Sequence, residues 1–286
     1  MSGSGTFATT QQAYHHCAML VREEDRDRFI ATLFAPAERR PHLLALYAFD
    51  IELVRAGHVV REALAGEIRL QWWRDALAGE ARGEAAANPV AAALIDTIAR
   101  CGLATDRLIA MIDARAHDLY GEPFATLDAF ESHARETASA VCELAALVLD
   151  GRATVGAASA AGGVAAAIAG ALQTLPRAAA RGRVSLPLDL LDRHGVAPDA
   201  IRAGTAGAPL KAALAELACI GRERLDDVRR NWAGVSPATR PAFLPLAVTG
   251  ALLARAERNR DPFRPTGLAP WRRQWLIWRA ARRGRL

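Results

Sequence analysis

Lysine is nearly missing from this chain: of its 36 basic residues, only Lys211 is not an arginine. Together with 64 alanines, this bias is the signature of GC-rich coding, so a single arginine is weaker evidence for a phosphate site than usual. Aromatic residues are scarce too, at 6%. Strands favour aromatic and β-branched side chains whereas alanine is the strongest helix former, so the composition excludes a sheet-rich fold and predicts an all-α one. The four cysteines, Cys17, Cys101, Cys142 and Cys219, stand far apart without a CxxC pair. That excludes a disulfide frame and a zinc site and predicts reduced, mostly buried thiols. Met1 to Thr10 has neither the basic start nor the apolar run of a secretory leader; it reads as a flexible terminus, and the protein as cytoplasmic.

Acid is missing from two long stretches. Arg264 to Leu286 holds seven arginines and no carboxylate, which leaves residues 1–263 with 29 basic against 31 acidic side chains. The net charge of +5 therefore belongs to a tail. A basic body wrapped in nucleic acid is excluded. The second stretch, between Arg152 and Leu188, also lacks any carboxylate, and Ala153 to Pro176 is wholly uncharged. It is long enough to cross a bilayer, but alanine and glycine dominate it and give weak hydrophobicity. Small residues let helices approach closely, so a buried central helix is expected.

What is present is helical periodicity. Apolar residues at helical spacing predict helices over about 37–57, from about Ile68 to Gly79, from Asn88-Pro89 onward, and from Thr105 to Tyr120. Thr126 begins a predicted long helix to Asp150, and the alanine-rich helix is expected to end near Leu175. Helices near 208–232, 237–258 and 269–282 follow an irregular stretch over Pro176 to Gly207. Hydrophobic residues amount to 51%, enough for one large core. The organisation read from this is a flexible 1–10, a helical domain over 11–258, and a Pro-rich connection with a Trp/Arg helix over 259–286.

Five segments stand out: Asp25-Arg-Asp-Arg-Phe29, Leu46-Tyr-Ala-Phe-Asp50, Gln71-Trp-Trp-Arg-Asp75, His117-Asp-Leu-Tyr120 and Arg181-Gly-Arg-Val-Ser-Leu-Pro187. Their order on an all-α chain resembles the squalene/phytoene synthase family over about Asp25 to Ile201. The resemblance implies a single-domain bundle with the terpenoid synthase fold. Active members join two isoprenoid diphosphates head to head with Mg²⁺, held by two facing acidic clusters. The physical demand is plain: diphosphate leaves only when its charge is neutralised, and carboxylates three or four residues apart share a helix face. In this sequence, reading forward without gaps from Tyr47 puts Val54, Arg55 and His58 at the first cluster. Reading back from Arg181 puts Thr174 and Ala178 at the second, and Ser185 stands where the family has tyrosine.

Asp50-Ile-Glu52, Glu67 to Trp73, and Arg183 to Leu191 with His194-Gly-Val resemble a divergent subgroup instead. That subgroup includes the mitochondrial complex I assembly factor and its bacterial relatives. It implies a non-catalytic assembly or accessory factor with a prenyl-lipid pocket, a client protein from a respiratory-complex assembly pathway, and no cofactor. The alternative is an active prenyltransferase with Mg²⁺ and displaced acids such as Asp50, Glu52 and Asp118.

Each candidate residue has two readings. Glu52, Glu67 and Gln71 line the old substrate cavity or are solvated. Asp118 is catalytic or braces the bundle through an arginine. Arg181 and Arg183 grip diphosphate or anchor a loop. Glu223, Asp226 and Asp227 have metal-like spacing but sit among arginines, which favours surface ion pairs. The histidines show no ligand spacing, and Trp72 and Trp73 are expected in the core.

In the tail, Trp271, Trp275 and Trp278 share one helix face, with Arg272, Arg273 and Arg279 around it. The plain reading packs the Trp face on the bundle with arginine exposed. The other lays the helix on an anionic membrane surface, at the inner face of a membrane.

Overall fold

The computed structural model describes residues 10–58, 63–205, 207–259, 261–264 and 267–286. The terminus expected to be flexible lies outside these residues except for Thr10, which opens the first helix. The order is α1 (Thr10–Glu24), α2 (Arg26–Thr32), α3 (Arg40–His58), α4 (Ala63–Ala78), α5 (Arg82–Ala87), α6 (Pro89–Cys101) and α7 (Thr105–Tyr120). Then come α8 (Leu127–Ala134), α9 (Ala140–Leu149), α10 (Gly156–Ala180), α11 (Leu188–Arg193), α12 (Pro198–Arg202), α13 (Ala208–Arg230), α14 (Leu246–Glu257) and α15 (Pro270–Arg283). No strand occurs among the described residues.

Local chemistry sets many of these boundaries. The Asn88 side chain accepts from the amides of Val90 and Ala91 at 2.9 and 3.1 Å, with Pro89 in the first turn. Thr126 caps α8 through the Ala129 amide at 3.1 Å, and Gly121 closes α7 in the left-handed conformation. Thr105, in contrast, is simply the first residue of α7 and caps nothing.

Three expected helices differ from those observed. The run from Thr126 to Asp150 is interrupted by a widened π turn over Arg135–Ser139, where α10 presses closest. The alanine-rich helix passes through Pro176 and ends at Ala180. Proline removes one backbone donor there, while Leu172, Leu175 and Ala179 remain buried on the inner face and offset the loss. The stretch expected as one helix over 237–258 contains Pro237, Pro241 and Pro245, and it splits into a 3₁₀ turn, Arg240–Phe243, followed by α14.

α10 is the one helix among the described residues long and apolar enough to cross a membrane, yet it is the centre of the bundle, packed on α13, α14, α9 and the π turn. A Cβ on Gly163 would lie 2.2 Å from the Ser139 amide nitrogen, so only glycine admits this approach. The Ser139 hydroxyl donates to the Ala160 carbonyl at 2.9 Å across the same contact. Trp73 is buried edge-on against Phe49 at 4.9 Å, whereas Trp72 is half-buried and donates to Glu84. All four cysteines are free; only Cys17 is fully buried and the other three are partly exposed, fewer than the sequence suggested.

The last helix reverses the plain reading of its sequence. α15 docks through Ile277 and Ala280, which are buried, and through Arg273, which grips Asp27 of α2 at 2.9 and 2.5 Å. Trp271, Trp275 and Trp278 point outward and are 70%, 46% and 51% exposed. The small Ile277/Ala280 side lets the helix backbone come close, which an indole face would prevent.

Candidate functional site

The Leu46-Tyr-Ala-Phe49 run of α3 is fully buried, and Asp50 follows it into the interior with 5% exposure. A carboxylate at that depth requires partners. Arg28 of α2 donates to one oxygen at 2.7 Å and Arg115 of α7 to the other at 3.1 Å. Arg115 also donates to Asp118 at 3.1 Å, and His133 of α8 lies 3.2 Å from the second Asp118 oxygen. Arg28 is in turn held over the Tyr47 ring at 5.1 Å and paired to Asp25, which caps α2. Four helices thus converge on one chain of paired side chains, Arg28, Asp50, Arg115, Asp118 and His133.

Close backbone contact makes this possible. A Cβ on Gly57 would lie 2.9 Å from that of Asp118, so glycine lets α3 and α7 touch at this level. Arg183 joins from the other side: its guanidinium lies against Gly121 at the end of α7 and reaches the Gly57 carbonyl at 3.5 Å.

The electrostatics follow from the pairing. Burial raises the pKa of Asp50, but the Arg28 and Arg115 charges outweigh it and hold the carboxyl below its ordinary value. Burial acts likewise on Asp118, and the His133 hydrogen bond and Arg115 charge bring it down to about 2. Both acids are ionised at neutral pH, and arginine does not give up its proton. Neither carboxylate of the pair has the raised pKa of a general acid.

The Mg²⁺ that the synthase resemblance implies does not fit these residues. Both oxygens of Asp50 are engaged by guanidinium groups, so arginine stands where a cation would be drawn. Among the described residues no group of three or more His, Cys, Asp or Glu side chains is placed to hold a metal. At the positions read as the second cluster, Thr174 is exposed and bonds its own helix at the Gly170 carbonyl, and Ala178 has no donor atom in its side chain.

The remaining candidates are spread around the bundle. Glu52 is buried on the far side of α3 and holds Arg55 at 3.2 Å and Arg69. Glu67 and Gln71 lie on the exposed face of α4; Glu67 accepts from the Tyr120 hydroxyl and Gln71 donates to Asp75 at 2.7 Å. Arg181 is exposed, and Ser185 has a buried hydroxyl without a partner. Asp226 pairs with Arg229, and Asp227 with Arg224 and Arg230, as surface ion pairs. In the tail, Arg279 stacks on Trp275 at 5.1 Å and Arg272 is exposed. Arg273 belongs to the interior contact with Asp27 and is a correction to its assignment to an outer surface.

The structure thus joins Asp50, Asp118 and Arg183 and leaves the other candidates apart. Sequence reading missed Arg28, Arg115 and His133. Arg115 carries a local signal, three residues before Asp118 on one helix face. Arg28 meets Asp50, and His133 meets Asp118, only through the fold.

Comparison with known proteins gives the chain its relatives. The profile described as squalene/phytoene synthase matches residues 21–279. NADH dehydrogenase (ubiquinone) complex I, assembly factor 6, of Homo sapiens is 27% identical over 268 residues, covering 93% of this chain and 79% of that protein. Its Bos taurus counterpart is 30% identical over 200 residues, 69% of this chain and 59% of the relative's length. Among solved structures, the squalene synthase HpnC of Alicyclobacillus acidocaldarius is 26% identical with a TM-score of 0.73, covering 90% of this chain and 96% of that one. A dehydrosqualene synthase in complex with ligand superposes with a TM-score of 0.84 at 17% identity over 97% and 98%, a likeness of fold.

Proposed function

Because the chain belongs to the squalene/phytoene synthase family, we propose that it is a non-catalytic member acting as an assembly or accessory factor for a respiratory complex I-type NADH dehydrogenase. The observation that carries this reading is the occupation of Asp50: with both oxygens held by Arg28 and Arg115, the acid one helical turn before Val54, where the family's first cluster would begin, is spent on the protein's own arginines. The relatives named as complex I assembly factor 6 support the role, and a client protein of that assembly pathway is the partner it implies. Likeness to a squalene synthase supports an isoprenoid lipid as the ligand of the bundle, without turnover. Four free thiols suit the reducing cytoplasm.

Two measurements test the reading. The purified protein is incubated with farnesyl or geranylgeranyl diphosphate, Mg²⁺ or Mn²⁺, with and without NADPH; no diphosphate release above the protein-free rate is expected. In parallel, the chain is expressed with a mitochondrial targeting segment in human cells lacking complex I assembly factor 6, where recovery of assembled complex I is expected. Diphosphate release at enzymatic rates that an Asp50→Asn, Asp118→Asn double variant abolishes would establish the prenyltransferase instead.

A further inference from the structure

Beside the outward tryptophans of α15 lies a basin of about 730 Å³ lined by the end of α14, by Asn259, Arg264 and Leu268, and by the start of α15. Arg255, Arg258, Arg264 and Arg272 line it, with no acid in the lining and no ion pair to any of the four among the described residues. Three neighbouring arginines are answered: Arg222 by Glu257, Arg229 by Asp226, Arg273 by Asp27. Four like charges gathered without counter-ions repel one another, and a concave cluster of them is relieved by bound anions.

Geometry adds a second, independent observation. Positions 271, 275 and 278 fall on one side of α15, and 273, 277 and 280 on the opposite side, the one buried against the bundle. The three indoles therefore project straight away from the protein. Arg272 follows Trp271 directly in sequence, so the basin opens next to the indole row. Exposed tryptophan costs hydration free energy in water, whereas at a bilayer surface its ring lies among the headgroups and its N–H keeps a polar partner.

We propose that the outer face of α15, together with the four-arginine basin, is a docking surface for a membrane rich in anionic phospholipid, with the indoles in the interface and the lipid phosphates against the arginines. Both halves of the surface are needed: arginines alone bind any anion, and tryptophans alone bind neutral lipid as well. The surface is separate from the Asp50 network, so it stands whether or not the assembly role does.

The full-length protein is mixed with vesicles of phosphatidylcholine alone or with phosphatidylglycerol added. Sedimentation is expected with the anionic vesicles, at least tenfold weaker for the neutral ones, and weakened by salt. Brominated lipids are expected to quench the tryptophan emission of the unaltered protein, a readout that needs no variant. Two exposed-face variants, Trp271→Ser/Trp275→Ser/Trp278→Ser and Arg255→Gln/Arg258→Gln/Arg264→Gln/Arg272→Gln, are each expected to bind at least tenfold more weakly with helical circular dichroism unchanged. The proposal is overturned if neither vesicle binds, or if neutral and anionic vesicles bind alike. It is also overturned if pyrophosphate binds the unaltered and Trp-variant proteins equally while vesicles do not, which marks a site for soluble phosphates. A concentration-dependent dimer that the Trp variant abolishes, without vesicle binding, would assign the face to a second copy.

Discussion

At the scale of residues, the decisive contacts are those of Asp50 and Asp118 with two arginines. Replacing either acid leaves Arg115 with one carboxylate partner in place of two, and replacing Asp50 leaves Arg28 with Asp25 alone, so each change removes compensation from a buried charge. The same contacts make the protein sensitive to acid. Asp118 titrates at about 2 in the folded protein against an ordinary 3.8, so its contribution is fully present above about pH 5 and is lost as pH falls through 2. It amounts to about 2 kcal/mol, from about 1.4 kcal/mol per pKa unit. Asp50 acts in the same direction. Urea unfolding of the wild type and an Asp118→Asn variant should therefore differ most near neutrality, the gap narrowing by about 2 kcal/mol between pH 5 and pH 2. A gap independent of pH would mean that the carboxylate's charge contributes nothing.

This network was half legible. The Asp118 brace through arginine follows from one turn of helix, because Arg115 stands three residues earlier. Asp50 was singled out as a displaced acid of an alternative active site, but its partners come from α2 and α7, and no spacing along the chain announces them. The pattern picked out the acid; only the packing showed that it is buried and what neutralises it.

At the scale of elements, glycine decides how closely helices meet. Gly163 of α10 admits the Ser139 backbone, while Gly170, seven residues on, has nothing within 4 Å of the position of its missing Cβ. The pair gives opposite expectations on one helix. Gly163→Ala should cost at least about 3 kcal/mol through backbone overlap, and Gly170→Ala should gain up to about 1 kcal/mol from helix propensity. Thermal unfolding of the two variants checks both signs. Most helices were legible from periodicity and caps because those signals are local. The π turn was not, since it answers to the pressure of α10, and neither was the orientation of α15. That helix has two faces able to be buried, an indole row and an Ile277/Ala280 row, and hydropathy favours the larger. Close packing of the smaller row, fixed by Arg273 on Asp27, selects the other.

At the scale of the whole molecule, charge is divided between a near-neutral bundle and an arginine-rich end. Arg273 ties the two together, and truncating it to alanine should cost about 2 kcal/mol by leaving the largely buried Asp27 without its bidentate donor. Urea unfolding of the Arg273→Ala variant checks the cost, and faster proteolysis in the connection before α15 would show where the structure loosens first. The partners of this contact stand 246 residues apart in the chain. At a synthesis rate of about 5–20 residues per second, Asp27 is made roughly 12–50 s before Arg273 exists to meet it. The groove that receives α15 must wait open on the nascent protein for that interval. The tryptophan row consequently takes its final orientation only after the bundle that receives α15 has been made, so that chains halted before α15 do not display it.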